Sequence, residues 1–366
     1  MYLPIRLKNI YLIIFILTCQ NSFSQTTQDF SKLYENTANL IDQDNYKKVF
    51  DQALTLETIG SDNNDNTQLS QADYLLAKIY KKQENYLQTI KYATKSIDAA
   101  KKEGNIEYEI KSSELLAWGY VYIGFLDEAK EILKNIDHLL ANYNGKHKHY
   151  FIYKKLYREA SLMKRKEEKP KQILQVYFQA LKEINQYPFK KEYQKNENFL
   201  SLYNNIGVIY KDINVDSSFV YFQKAYQFRD NFDERGKANL DTNIASYYVS
   251  KNKNQEAIDL LSKSIPALIK SDHKFLTSES YKVLSDAYKN ENNQTKSLEY
   301  NTLYLTYKDS LNLKRNQSVN EAVEYVKKLN KENHDNKENT TYIYIGLGLI
   351  LLIVLVLIFK NNKRKS

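Results

Sequence analysis

One spacing recurs along this chain. A small residue is followed three residues later by a large one, usually Tyr, and nine residues after that another small residue opens a second amphipathic stretch. The clearest copy, LLAWGYVYIGFLDEAKEIL, places Leu116, Ala117, Tyr120, Gly124, Ala129 and Leu133 at the key points. A second, NIASYYVSKNKNQEAIDLLSKSI, places Ile244, Ala245, Tyr248, Ala257 and Leu261 in the same frame. Small residues let two antiparallel helices touch, and the ring fills the seam between neighbouring pairs. A lone pair of this kind cannot bury its apolar face, so the pattern demands a stack. The first-helix markers are Ala77, Ala117, Ser161, Gly207, Ala245 and Ser285, in steps of 40, 44, 46, 38 and 40 residues. The second-helix markers are Thr89, Ala129, Ile173, Ser218, Ala257 and Ser297.

Breaker-rich segments separate the units: SDNNDN, KKEGN, NYNGK, DERGK and KSDHK. The unit around Ser161 and Ile173 fits least well, with the charged run KRKEEKP at its turn and Pro170 suited to start its second helix. A first repeat from Leu33 to Leu56 is weaker, as expected of a cap. Only 9 Gly and 4 Pro occur in 366 residues, which fits helix nearly throughout. The single cysteine, Cys19, lies in the leader described below, so no disulfide is expected and stability must come from helix packing.

These residues resemble the tetratricopeptide repeat, a helix–turn–helix unit of about 34 residues. The resemblance implies an all-α solenoid, a right-handed superhelix of antiparallel helix pairs, assigned to residues 25–305. All the steps here exceed the family length, so helices or turns should be elongated. In that family the concave groove binds other chains, and the matching groove positions here include Lys78, Glu114, Trp118, Tyr122, Arg158, Asn204 and Thr242. They are mixed polar and do not reproduce the carboxylate-clamp set in consecutive repeats. The lone Trp118 has Tyr122 one helical turn on. With Lys78 and Arg158 flanking, it makes a candidate anchor for a peptide carrying an apolar residue and acids. The competing reading is that Trp118 packs against the next repeat.

The two ends carry a topology expectation. Arg6 and Lys8, the apolar run Ile10 to Leu17, and Ser22 and Ser24 at a cleavage site read as a signal peptide over residues 1–24. Thr18 before Cys19, where Gly or Ala is usual, argues against a lipidated cysteine. After the repeats, residues 306–341 read as a charged juxtamembrane helix in which Val319, Val323 and Val326 have a/d-like spacing. Tyr342 to Phe359 is free of charges and amides, and its 18 residues give about 27 Å of helix for a hydrocarbon core of about 30 Å. The basic tail KNNKRKS, residues 360–366, then belongs in the cytoplasm. The expectation is a single-pass membrane protein with its repeats exported to the periplasmic side.

The formal charge of +9 falls to +3 between the leader and the tail, 47 basic against 44 acidic residues. That is too little for a nucleic-acid partner. No His-Glu-x-x-His, phosphate-cradling glycine loop or Gly-x-Ser-x-Gly elbow is present. His147 and His149, two apart in KHKHY, lack an evident third ligand. The expectation is a non-enzyme without cofactor or metal, acting as a membrane-anchored scaffold for a protein or peptide. The order of leader, repeats, charged helix and span also resembles the input half of Gram-negative membrane regulators, with only KNNKRKS where a kinase or DNA-binding domain would follow. The alternative is therefore the sensor half of a split regulator that works through a separate cytoplasmic partner.

Overall fold

The computed structural model describes residues 29–41, 46–229, 234–270, 274–310 and 316–331. Among them no strand occurs. The helices are α1 (29–41), α2 (Tyr46–Asp62), α3 (Asn66–Lys82), α4 (Tyr86–Lys102), α5 (Ile106–Ile123), α6 (Leu126–Asn142), α7 (Lys148–Arg165), α8 (Pro170–Asn185), α9 (Glu192–Tyr210), α10 (Val215–Tyr226), α11 (Glu234–Ser250), α12 (Asn254–Lys270), α13 (Lys274–Asn290), α14 (294–310) and α15 (316–331). Pro170 opens α8, where its missing N–H costs nothing.

Local chemistry explains the elongated repeat. Asp65, Asn85 and Asn105 cap α3, α4 and α5 by accepting the N–H of the residue three positions on, at 3.0, 3.1 and 3.3 Å. The residue before each cap is left-handed: Asn64 (φ 52°), Glu84 (φ 56°) and Gly104 (φ 64°). Each turn thus ends one helix and caps the next within three residues. Two 17-residue helices and two such turns account for the 40-residue step of Ala77 to Ala117. The longer steps run through the connections 143–147 and 186–191. Gly124, at φ 92°, ends α5 in a conformation that costs a side chain-bearing residue more.

The small positions lie where helices cross. Ala77, Ala117, Ala129, Ala245 and Ala257 are fully buried. Ser218 Oγ donates to the Gly207 carbonyl at 2.7 Å and Ser285 Oγ to the Ser297 carbonyl at 2.9 Å, so the two markers of a pair meet directly. A Cβ on Gly207 would lie 2.5 Å from the Phe222 ring. Ala117→Leu or Ala245→Leu should therefore overpack the crossing and cost about 1–3 kcal/mol. Unchanged thermal midpoints in both variants would contradict the register.

Odd-numbered helices touch each other directly, α3 with α5, α5 with α7 and α11 with α13, while even-numbered ones pack chiefly on the odd-numbered helices. The odd layer is the more closely spaced, so the stack bends toward it and α3, α5 and α7 line the inner face. α15 does not continue the stack. Ala322 and Val326 are fully buried in the apolar cluster built by α4, α5 and α6, with Val319, Val323 and Tyr325 packed against it. The valine stripe is thus covered by the chain's own repeats.

The membrane location requires correction. Among the described residues no helix is long and apolar enough to cross a membrane, and on that finding the single-pass location with exported repeats is withdrawn. The leader, residues 1–24, the span Tyr342 to Phe359 and the tail 360–366 lie outside the described residues.

Candidate ligand-binding surface

Glu114, Trp118 and Tyr122 are spaced by four residues and form one stripe along the inner side of α5. Their neighbours come from α3 and α7. Arg158 of α7 donates to Glu114 Oε1 from both Nε (3.2 Å) and Nη2 (2.5 Å), and Lys81 of α3 stands 3.8 Å from Oε2. Glu114 and Arg158 are only 6% and 4% exposed. Burial opposes ionisation of Glu114, but Lys81, Arg158 and Lys154 hold its carboxyl well below the usual range. Lys78 and Lys154 act on Lys81 as well. Burial pulls the Lys81 ammonium down to about 7; Arg158, Lys154 and Lys78 add to this effect and Glu114 opposes it.

The aromatic part adjoins the charges. Trp118 and Tyr122 have ring centroids 4.8 Å apart, and Tyr86, at the start of α4, stacks on both at 5.5 and 5.8 Å. Lys81 Nζ lies 5.6 Å from the Trp118 ring and Arg165 Cζ 5.7 Å from that of Tyr122. Arg165 also donates to the Tyr122 carbonyl at 3.3 Å. Trp118 is 6% exposed and Tyr122 38%. Tyr122 and Arg165 therefore present the surface to solvent, with Lys81 half-buried beside them and Trp118 beneath.

Of the residues picked from the register, Glu114, Trp118, Tyr122 and Arg158 come together on α5 and α7, and Lys78 joins them through the field at Lys81. Arg158 does not stand as a rim cation beside the rings; it is buried in its ion pair. Asn204 and Thr242 sit further along the stack on α9 and α11, also buried. Asn243 Nδ2 donates to Asn204 Oδ1 at 3.0 Å, and Thr242 Oγ1 donates to the Ala238 carbonyl at 2.7 Å. Sequence reasoning missed Lys81, Tyr86, Lys154 and Arg165. Lys81 and Arg165 had a legible signal, lying one helical turn beyond Lys78 and two beyond Arg158 on the same faces. His147 and His149 have separate partners, Tyr187 at 2.7 Å and Glu183 at 2.8 Å.

No family model matches the chain, and no curated protein matches it. Solved structures do. The chain is similar to NprR in complex with its cognate peptide NprX, at 16% identity, covering 89% of this chain and 94% of that chain, with a TM-score of 0.55. It is similar to the apo form of the quorum sensor NprR from B. thuringiensis at 14% identity, covering 83% and 95%, with a TM-score of 0.51. A signal transduction ATPase with numerous domains, bearing a tetratricopeptide repeat sensor, from Pyrococcus horikoshii aligns at 16% identity over 74% of this chain and 40% of that one, with a TM-score of 0.53. At these identities the likeness concerns the fold: an all-α, tetratricopeptide-like repeat solenoid.

Proposed function

We propose that this chain is a protein- or peptide-binding repeat scaffold, and that its ligand lies along α3, α5 and α7 with an acidic group at the cation cluster and an apolar one on Tyr122. The carrying observation is the cation cluster at the inner face, with Lys81, Lys154 and Arg158 around the carboxylate of Glu114. Such a field attracts and orients an anionic segment, and the adjoining aromatic surface supplies apolar contact. The structural likeness to NprR, a protein seen with a peptide, supports the reading at the level of fold. No catalytic step is assigned.

The test is a random dodecapeptide display library panned against the full chain. Enriched sequences should pair Asp or Glu with a large apolar residue. Their affinity should fall about tenfold or more, roughly 1.4 kcal/mol, in Lys81→Glu or Arg165→Glu. A bound carboxylate favours the charged form of Lys81, so binding takes up a proton. Capture should then be strong below pH 7 and weaken as pH rises through about 7, and Lys81→Met should flatten this profile. Peptides without acidic bias, or equal binding by wild type and both charge-reversal variants, would refute the proposal.

A further inference from the structure

The repeats treat their outer seams unequally. In three of them the seam Tyr stacks on a second Tyr eleven or twelve residues on: Tyr80 with Tyr92 at 5.5 Å, Tyr210 with Tyr221 at 5.2 Å and Tyr288 with Tyr300 at 5.5 Å. At Tyr80 a third ring, Phe50 of the preceding even helix, closes the seam edge-on at 5.6 Å. One 40-residue step later, Tyr120 has Ile132 where Tyr92 stood and Ile90 where Phe50 stood. Two ring positions have become aliphatic, and it is here that α15 packs. Lys91 Nζ of α4 lies 5.0 Å from the Tyr325 ring, and Tyr325 and Glu128 both act on the Tyr120 hydroxyl, which burial pushes up to about 12.

The stripe that α15 brings consists of small side chains. Val319, Ala322, Val323 and Val326 follow the i, i+3, i+4, i+7 pattern of one helix face. Only Ala322 and Val326 are fully buried, and most of the remaining residues of α15 are polar and exposed. So little apolar area must offset the cost of ordering the whole segment. A helix of this length is marginal in water, so α15 keeps its form through its docking. Ile90, Trp118 and Tyr120 belong to the same apolar cluster as Ala322 and Val326.

We propose that the seam of α4, α5 and α6 around Tyr120 is a binding site for an amphipathic helix and that α15 occupies it reversibly as a latch. This proposal is independent of the ligand at the inner face.

The test uses the full chain carrying Val326→Asp, with Val319→Ser as the milder variant. Hydrogen exchange of residues 316–331 should accelerate by about an order of magnitude or more. Helices α7 to α13 should keep their protection. A synthetic peptide of residues 316–331, titrated into the Val326→Asp chain in a calorimeter, should bind along a saturable curve. The same peptide with Ala322→Asp should not. Three results would overturn the proposal: no binding of the wild-type peptide, equal exchange of 316–331 in wild type and both variants, or loss of protection throughout α7 to α13, which would make α15 a permanent part of the core.

Discussion

Glu114→Ala should destabilise the protein by about 3–5 kcal/mol, the range for removing one partner of a buried ion pair. The change leaves the Arg158 guanidinium, 4% exposed, without the carboxylate that accepts from both its Nε and Nη2, and it removes the counter-charge of Lys81. Urea unfolding of the full chain followed by circular dichroism measures the loss. Replacing both partners, Glu114→Leu with Arg158→Met, should recover most of it, because an apolar pair leaves no charge stranded. The single variant should also change the acid limb. The folded-state carboxyl is held below its ordinary value of 4.5, so its contribution is present above that pH and is lost as pH falls further. Glu114→Gln should unfold with a shallower acid dependence than wild type. A single variant as stable as wild type would mean that Arg158 finds another acceptor and that the charge cluster is organised differently.

Trp118→Ala should cost a similar amount, about 3–5 kcal/mol, as for a buried aromatic side chain. Its ring is 6% exposed, rests between Tyr86 and Tyr122, and belongs to the cluster that joins α4, α5, α6 and α15. Tyr122→Ala, at a residue 38% exposed, should leave the unfolding midpoint much closer to wild type while weakening peptide capture. The two variants together divide support from contact. If Trp118→Ala loses capture with little change in stability, the anchor is Trp118 itself. If stability falls as expected, the contact surface is Tyr122 with its flanking cations, and any binding loss in Trp118→Ala is secondary.

Much of this protein follows from the sequence alone, because the interactions that define a repeat are local. The small residues at Ala117, Ala129, Ala245 and Ala257 can only mark close helix crossings, and all four are fully buried. Short Asn- and Asp-capped turns set the antiparallel pairing, and nearest-neighbour stacking then leaves one architecture. The inner stripe Glu114, Trp118 and Tyr122 was equally legible, since positions four apart on a helix share a face. What the sequence could not determine is how deeply each of those residues sits. Register places Trp118 and Arg158 on the inner side, but only the packing of α3, α4 and α7 against α5 buries them, half-buries Lys81 and leaves Tyr122 and Arg165 at the surface. The seat of α15 was also hidden. Its valine stripe announces an apolar partner without naming one, and that partner lies far back in the sequence, where Ile90 and Ile132 take the places that rings hold beside Tyr80. Local periodicity dictates which face of a helix is apolar, whereas the surface that covers it is selected by shape, which exists only once the chain has folded.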